Sequence, residues 1–343
     1  MGLFSSSDET FLGIDIGDSS IKMVELKKKN KKILLSNYGF SENLGVKFGA
    51  VESAEDIAKA IMKIKNDVGI KTNRATASLP TFAVFSSVIN LYNLDKKALA
   101  EAIHEEAKKV IPLPLQEMVL DWKILPDFSE DKSKNNVKVF LTGSPKKLVK
   151  KYIDIFNKAK LTLASLETET FSLIRSIMGG DKSSVIIAEI GANSTDISII
   201  HKGIPILNRS IDICGSTVTK ALMEKMSVNF SEAEQMKYDL SISSKNGMPE
   251  VIAKAVKPIV SEIEYMIDFF NTNYNGGLEK IILSGGASLL FNLAEHIEEV
   301  LKIRVIIGDP WAHVYYPPEM RNVLKQLGPK LSVAVGLAMR EIK

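Results

Sequence analysis

The chain has 343 residues, enough for about two domains of ~150 residues with a large buried core. Hydrophobic residues make up 45% and charged residues 25%, the balance of a soluble globular protein. The 44 basic and 41 acidic residues leave a net charge of +3, which is too small to favour nucleic-acid binding. The single cysteine, Cys214, excludes an internal disulfide, and no stretch is apolar over a bilayer-spanning length. We therefore expect a cytoplasmic protein.

The first predicted element is a β-hairpin over residues 11–26, FLGIDIGDSSIKMVEL. Apolar side chains alternate with small or polar ones up to Ile16, which is the period of a half-buried strand. Backbone N–H groups and hydroxyls in such a turn bind anions, and the carboxylate of Asp15 beside them can hold a cation. The predicted ligand contacts are Asp15, Gly17, Asp18, Ser19, Ser20 and Lys22. An ordinary hairpin with a polar tip explains the stretch equally well, and Lys22 fits a surface charge as well as a phosphate contact.

Three further elements are predicted between the first hairpin and residue 81. The lysine-rich stretch 27–32, KKKNKK, is typical of a solvated hairpin tip, and contact with anionic lipid is the less favoured alternative. A third strand is predicted over 33–40. Ser53 begins a helix with the capping pattern Ser-x-x-Asp, and Gly69 ends that helix. A short strand is predicted over 75–79.

Residues 81–160 are predicted to form an inserted α+β subdomain. Its predicted elements are a strand over 84–91, a helix over 95–110 capped by Asp95, strands over 118–125 and 137–142, and a helix with Ser144 at its cap and Pro145 in its first turn. The prolines of IPLPLQ, residues 111–116, favour an extended connection that leaves an apolar groove beside a strand edge. The insert carries no nucleotide-binding pattern, so we expect a structural or partner-binding role.

A second hairpin, VIIAEIGANSTDISII over 185–200, repeats the first. It follows a strand over 161–166, a helix over 169–178 and a glycine pair that links the two halves. Each hairpin reads as apolar strand, acid-x-Gly, small polar turn and apolar strand. The predicted contacts are Glu189 for a cation and Gly191, Ala192, Asn193 and Ser194 for phosphate, whereas Asp196 is predicted to support the turn. Two such hairpins half a chain apart indicate a duplicated fold whose halves face each other across one phosphate group.

Two patterns with further ligand contacts come later. After a strand over 206–213, Gly215-Ser216 precedes a helix over 217–226. Glu234 and Lys237 then lie three residues apart on a short helix, which suits the two hydroxyls of a ribose but is also a common surface ion pair.

The last third of the chain begins with a long helix within 249–274. A strand from residue 281 then ends in a paired glycine, and such glycines let the backbone approach a sugar or a planar group closely. The predicted contacts there are Gly285, Gly286 and Ser288. An amphipathic helix, a strand over 305–307 and a closing helix over 328–341 complete the chain.

The order of these patterns resembles the actin-like nucleotide-binding superfamily, with its phosphate-1, phosphate-2 and adenosine motifs. The resemblance implies an α/β fold with two nucleotide-binding lobes, each an RNase H-like core, and an inserted α+β subdomain of the 1C type. The implied division is a first lobe (1A) of 1–80 and 161–180, an insert of 81–160, a second-lobe core (2A) of 181–218 and 281–330, a subdomain 2B of 219–280, and a closing helix over 331–343 that packs toward the first lobe.

Within the superfamily the chain resembles the PilM family of type IV pilus assembly proteins, in GIDIGDSSIKMVEL, EEAKKVIPLPLQEMVLDWKIL, EIGANSTDISII, LSGGASLL and SVAVGLAMR. The resemblance implies a cytoplasmic ATP-binding scaffold. Such a scaffold binds the N-terminal cytoplasmic tail of a PilN-like inner-membrane protein in the groove between first lobe and insert, and is recruited peripherally to that membrane. The implied ligands are ATP or ADP, with Mg²⁺ held by Asp15 and Glu189 through water.

Two residues depart from the family pattern, and two other functions stay open. Glu189 stands where Asp is usual and Asp18 where Ser or Thr is usual, so we expect at most slow ATP hydrolysis. One alternative is a filament-forming division protein similar to FtsA. The other is a small-molecule kinase of the same superfamily, which would need a general base beyond Asp15, Glu189 and Asp196.

Overall fold

The computed structural model describes residues 9–17, 19–42, 53–92, 99–125, 136–238 and 247–342. Asp18, predicted in the first turn, and Asp95, predicted as a helix cap, lie outside the described residues.

The first predicted hairpin lies at the centre of the first sheet. β1, β2 and β3 are antiparallel neighbours, and β4 and β8 run parallel to β1. The strands are β1 Glu9–Ile16, β2 Ser20–Lys29, β3 Lys32–Glu42, β4 Arg74–Leu79 and β8 Thr162–Thr168, in the sheet order β3-β2-β1-β4-β8. Because the parallel strands all end at one edge, the residues after β1, β4 and β8 meet there.

Helices cover both faces of this sheet, and the last five residues of β1 are therefore buried. α1 (Ala54–Asp67) and α3 (Lys146–Lys158) pack on one face, and α9 (Arg321–Met339) packs on the other. A Cβ atom on Gly13 would lie 2.1 Å from the Ala334 carbonyl oxygen, so α9 packs backbone to backbone against β1. The predicted cap of α1 is confirmed, because the Asp56 N–H donates to Ser53 Oγ at 3.2 Å.

The second sheet repeats the topology of the first. β9, β10 and β11 form an antiparallel set, and β12 and β13 run parallel to β9. The strands are β9 Val185–Ile190, β10 Thr195–His201, β11 Ile204–Ile211, β12 Lys280–Ser284 and β13 Val305–Ile307, in the order β11-β10-β9-β12-β13. The helices that follow in this half are α5 Gly215–Met226, α6 Phe230–Met236, α7 Glu250–Asn273 and α8 Leu293–Leu301. The equal strand order confirms the predicted duplication.

The insert has a small sheet and a core of its own. Its strands are β5 Phe85–Tyr92, β6 Met118–Ile124 and β7 Asn136–Pro145, in the order β5-β7-β6, and α2 (Leu99–Val110) covers one face. The 111–116 segment connects α2 to β6. α3, which was predicted as part of the insert, buries Tyr152, Ile155 and Phe156 against the first sheet and α1 instead.

Several helices differ from prediction in where they start or in helix type. Pro145, not Ser144, is the N-cap residue of α3, and both residues belong to β7. α9 begins at Arg321, seven residues or about two turns before the predicted start, and contains Pro329. The helix after β8, α4 (Glu169–Leu173), continues as a π-helical turn over Ile174–Met178.

Candidate functional site

Two tight turns face each other across the cleft between the sheets, one at the end of β1 and one at the end of β9. The Gly17 N–H donates to the Ser20 carbonyl at 3.0 Å, and the Gly191 N–H donates to the Ser194 carbonyl at 2.9 Å. The same local bond closes both turns, as the repeated sequence pattern predicts. The cleft is lined by Asp15, Ile16, Gly17, Ser19, Lys22, Pro80, Phe82, Glu169, Glu189, Gly191, Ala192, Asn193, Ser194 and Asp196. Ser20 is buried behind the first turn.

Lys22 lies inside the cleft rather than on the surface. It is the cross-strand partner of Asp15, and its ammonium donates to Asp15 Oδ2 at 2.8 Å while Ser78 Oγ donates to Oδ1 at 3.2 Å. Burial alone would lower the pKa of Lys22, but Asp15, with Glu189 and Glu169 beyond it, raises that pKa above its ordinary value. A cationic donor therefore lies beside the first turn, where a phosphate can reach it.

The residues that line the cleft include four acidic side chains and one basic side chain, Lys22. Glu189 and Asp196 are direct cross-strand partners on one face of the second sheet. Burial together with repulsion from Asp15 and Asp196 raises the pKa of Glu189 to about 8. Glu189 Oε2 is buried without a hydrogen-bond partner among the described residues. A divalent cation with its water shell would satisfy that oxygen and relieve the repulsion.

Glu169 is a cleft residue that the sequence analysis missed. It is the first residue of α4, after β8, and its Oε2 accepts from the Thr81 N–H at 3.0 Å and the Thr81 hydroxyl at 3.1 Å. Burial and repulsion from Glu189, Asp196 and Asp15 raise its pKa well above the ordinary value. The available signal was an acid after a strand parallel to β1, since such strands end at the cleft edge. Asp196 was predicted only to support its turn; Ser194 Oγ does donate to it at 3.5 Å, and its carboxylate also lines the cleft.

The start of α5 is bonded to the second turn. The Gly215 N–H donates to the Gly191 carbonyl at 2.9 Å, and the Ser216 N–H donates to the Ala192 carbonyl at 3.0 Å. These two backbone donors, predicted to contact the ligand, are therefore already used by protein acceptors. They fix the position of the second turn.

The Glu234 and Lys237 pair has two different roles in the structure. The buried Lys237 ammonium donates to three protein acceptors: the Gly215 carbonyl at 3.1 Å, Thr219 Oγ1 at 2.8 Å and Glu234 Oε1 at 2.7 Å. Since an ammonium has three donors, Lys237 has none left for a ribose hydroxyl. Thr219 Oγ1 also donates to Glu234 Oε1. Glu234 Oε2 remains as the acceptor, on a side chain that is 38% exposed.

The predicted contacts after β12 also differ in whether they are used within the protein or open to a ligand. Gly285 has φ +81°, and a Cβ there would lie 2.4 Å from the Ile190 carbonyl oxygen, so this glycine lets β12 pack closely against β9. The buried Ser288 hydroxyl donates to the Gly285 carbonyl at 2.7 Å. Gly286 has open space around it, and the Tyr238 hydroxyl reaches its carbonyl at 3.5 Å. Of the three predicted contacts here, Gly286 alone is open to a ligand.

The described residues lack a membrane-spanning helix and a complete set of metal-binding side chains. No helix in the described part of the chain is long and apolar enough to cross a membrane. No three His, Cys, Asp or Glu side chains within the described ranges are arranged to bind a metal ion directly. Any cation in this cleft would therefore need water or ligand oxygens to complete its coordination.

Known proteins resemble this chain over nearly its full length. The cell division protein FtsA of Streptococcus pneumoniae is 19% identical over 350 residues, covering 88% of this chain and 75% of that protein. A PilM–PilN type IV pilus biogenesis complex superposes with a TM-score of 0.81 at 24% identity, covering 97% of this chain and 98% of the other. MreB5 of Spiroplasma citri bound to AMPPNP superposes with a TM-score of 0.51 at 13% identity, covering 97% and 96%. The predicted two-lobed actin-like α/β fold is thereby confirmed.

The family follows from a match to a whole-family model rather than to one relative. The model described as type IV pilus assembly protein PilM matches residues 13–342. That span contains both turns, the insert and α9. The chain belongs to the PilM family of type IV pilus assembly proteins.

Proposed function

We propose that this protein is a cytoplasmic nucleotide-binding scaffold of the type IV pilus assembly platform. The observation that carries the nucleotide part is the pair of matching turns across one cleft, each closed by the same glycine N–H bond. Membership of the PilM family supports the pilus part. ATP or ADP is the proposed ligand, and the AMPPNP bound to MreB5 supports that choice through the shared fold.

The phosphates would lie between the turns at 17–20 and 191–194. Lys22 supplies positive charge from one side, and Glu234 Oε2 accepts from the ribose. Asp15 and Glu189 would hold Mg²⁺ through its water shell, which fits the partnerless Glu189 Oε2. Bound Mg²⁺ would neutralise phosphate charge. At most slow hydrolysis is proposed, because Glu189 stands where the family usually has Asp.

Titration calorimetry with ATP and Mg²⁺ tests nucleotide binding. Gly17→Val would fill the phosphate space, and its Cβ would meet Lys22 Nζ and the Ser20 carbonyl at 3.4 Å, an ordinary van der Waals distance. Gly180→Val is the matched control, because that glycine has open space around it and does not line the cleft. We expect binding to be lost in the first variant and kept in the second. Absence of nucleotide binding by the wild type, or equal affinities in both variants, would contradict the proposal.

We further propose that the tail of a PilN-like inner-membrane protein binds in the predicted groove between first lobe and insert, here the groove between α3, the last helix of the predicted insert, and β8 of the first sheet. Binding there would recruit the scaffold peripherally to that membrane. The neighbour named as a PilM–PilN complex supports the partner. The groove has a volume of about 440 Å³ and is lined by Ile153, Asn157, Leu161, Thr162, Leu163, Ser165 and Leu166. Among the described strands, none pairs with the outer edge of β8. An extended tail could add to this edge and bury apolar side chains against Ile153, which is 46% exposed. The 111–116 segment, predicted to order such a groove, does not line it.

A second free edge provides the control for this site. β6 is an outer strand of the insert's sheet and exposes Trp122 at 44%. We expect Ile153→Asp to weaken binding of a PilN-tail peptide by at least tenfold, because a charge would be buried under the tail, and Trp122→Asp to have no effect. The opposite pattern in fluorescence anisotropy would place the tail at β6 and refute the groove between α3 and β8.

A further inference from the structure

The tip of the β2–β3 hairpin concentrates positive charge on a tight turn. Lys29 and Lys32 are the last paired residues, and Asn30 and Lys31 alone form the loop. The cationic residues of this lysine tip are Lys27, Lys28, Lys29, Lys31 and Lys32. Lys29, Lys31 and Lys32 are exposed, so their charges project into solvent.

This arrangement is unfavourable for the folded protein by itself. Lys29 and Lys32 lie directly opposite each other, and like charges at such a pair destabilise a hairpin. Asn30 and Lys31 both have left-handed backbones, with φ of 50° and 62°. A two-residue turn of this kind favours glycine at its second position, where Lys31 stands. A lysine at that position adds charge at the cost of backbone strain and repulsion.

An exposed aromatic ring lies beside the lysine tip. Tyr315 is 55% exposed and is held next to β3, because its N–H donates to the Ile33 carbonyl at 2.8 Å and its carbonyl accepts from the Leu35 N–H at 2.9 Å. The Lys32 ammonium lies 4.8 Å from the centre of the Tyr315 ring. An exposed tyrosine beside the lysine tip matches the chemistry of a membrane surface, where cations contact lipid headgroups and tyrosine lies at the headgroup level.

The strand directions fix where the tip points. β2 runs antiparallel to β1, so Lys29 lies at the same end of the sheet as the start of β1, opposite the cleft. β8 is parallel to β4 and β1, so its start at Thr162, in the groove between α3 and β8, lies at that end as well. A membrane-anchored tail entering the groove there and the lysine tip would face the same surface. This orientation rests on the proposed tail site, whereas the lysine tip itself does not.

We propose that the lysine tip docks on an anionic lipid surface. The tip is a two-residue turn that exposes Lys29, Lys31 and Lys32, whereas Lys28 lines a cavity of about 830 Å³ farther along the sheet. Its cations are lysines, which act as point charges and lack the planar fork with which arginine recognises single phosphates. A field of anionic headgroups needs no such geometry, and it would offset the repulsion between Lys29 and Lys32.

Vesicle co-sedimentation tests the proposal without any partner protein. The probes are vesicles of phosphatidylcholine alone and vesicles that also contain phosphatidylglycerol. Lys31→Gly removes one charge and relieves the turn, so it should unfold at a higher urea concentration than wild type yet bind the anionic vesicles about fivefold more weakly. Lys29→Glu creates an attractive pair with Lys32 and should bind more weakly still. Lys257→Glu makes the same charge change on an exposed face of α7 and serves as the control.

Both tip variants are expected to stabilise the fold, so weaker vesicle binding by them cannot be caused by unfolding. Binding that requires phosphatidylglycerol, weakens with raised salt, falls in the two tip variants and persists in Lys257→Glu supports the proposal. No binding of the wild type to anionic vesicles overturns it, as does equal binding by all variants. Tip-dependent binding of an RNA or DNA oligonucleotide without vesicle binding also overturns it. Failure of the peptide titration at the groove between α3 and β8 would leave this result unchanged.

Discussion

Replacing Glu189 with Gln should alter how the stability of the protein depends on pH. Burial and the neighbouring acids Asp15 and Asp196 raise the pKa of Glu189 from 4.5 to about 8. The folded protein therefore keeps this proton at pH values where the unfolded chain has released it. By linkage, this carboxyl lowers the free energy of unfolding progressively as the pH rises from 4.5 to about 8.

The size of the effect follows from the same interval. At about 1.36 kcal/mol per pKa unit, the interval between 4.5 and about 8 corresponds to at most about 5 kcal/mol. Glu189 is only partly buried and borders the cleft, so water reduces this figure. We expect Glu189→Gln to exceed the wild type by about 2–3 kcal/mol at the upper end of the interval, and to match it at the lower end.

The assay is urea unfolding over that pH range, with a chelator present and no nucleotide. Glu25→Gln is a control of opposite sign, because Glu25 is a buried acid of the same protein with a lowered pKa. Burial would raise that pKa, but hydrogen bonds from Thr72, Asn37 and Ser36 lower it. Glu25 therefore stabilises the fold above pH 4.5 and loses this effect as pH falls through its folded pKa. Parallel stability curves for wild type and Glu189→Gln would refute the assignment of repulsion to this cleft.

Three further predictions follow from the packing and the site. Lys237→Ala should lower the free energy of unfolding by about 2–4 kcal/mol in urea titrations, since it leaves Glu234 and the Gly215 carbonyl without their donor. An unchanged urea midpoint would show that these hydrogen bonds do not stabilise the fold. Glu234→Gln should weaken ATP binding in calorimetry while leaving the melting temperature within a few degrees, because the amide oxygen can still accept from Lys237; full affinity would exclude Glu234 as the ribose acceptor. Gly13→Ala should destabilise by more than about 3 kcal/mol, because its Cβ would meet the Ala334 carbonyl at 2.1 Å, whereas Gly180→Ala should unfold like the wild type.

Local sequence patterns were sufficient to predict most of the strands and helices. The two hairpins alternate apolar and small residues with a period of two, and glycine follows the acid in each, so strand, turn and strand are encoded within about sixteen residues. The cap at Ser53 is equally local, because donor and acceptor are three residues apart. The duplication was visible because both halves repeat the same short pattern.

The partner of each polar group was decided only by tertiary structure. Gly215 and Ser216 look available for a ligand in sequence, but their N–H groups are bonded to a turn more than twenty residues earlier. Lys237 uses its donors on α5 and α6, while Glu169 joins the cleft acids from another strand. A residue's type and its neighbours set backbone conformation, whereas burial, repulsion and saturation of donors depend on groups brought together by the sheets. The sequence alone therefore determined the two turns, and the tertiary structure decided which of their surrounding groups remain free to bind.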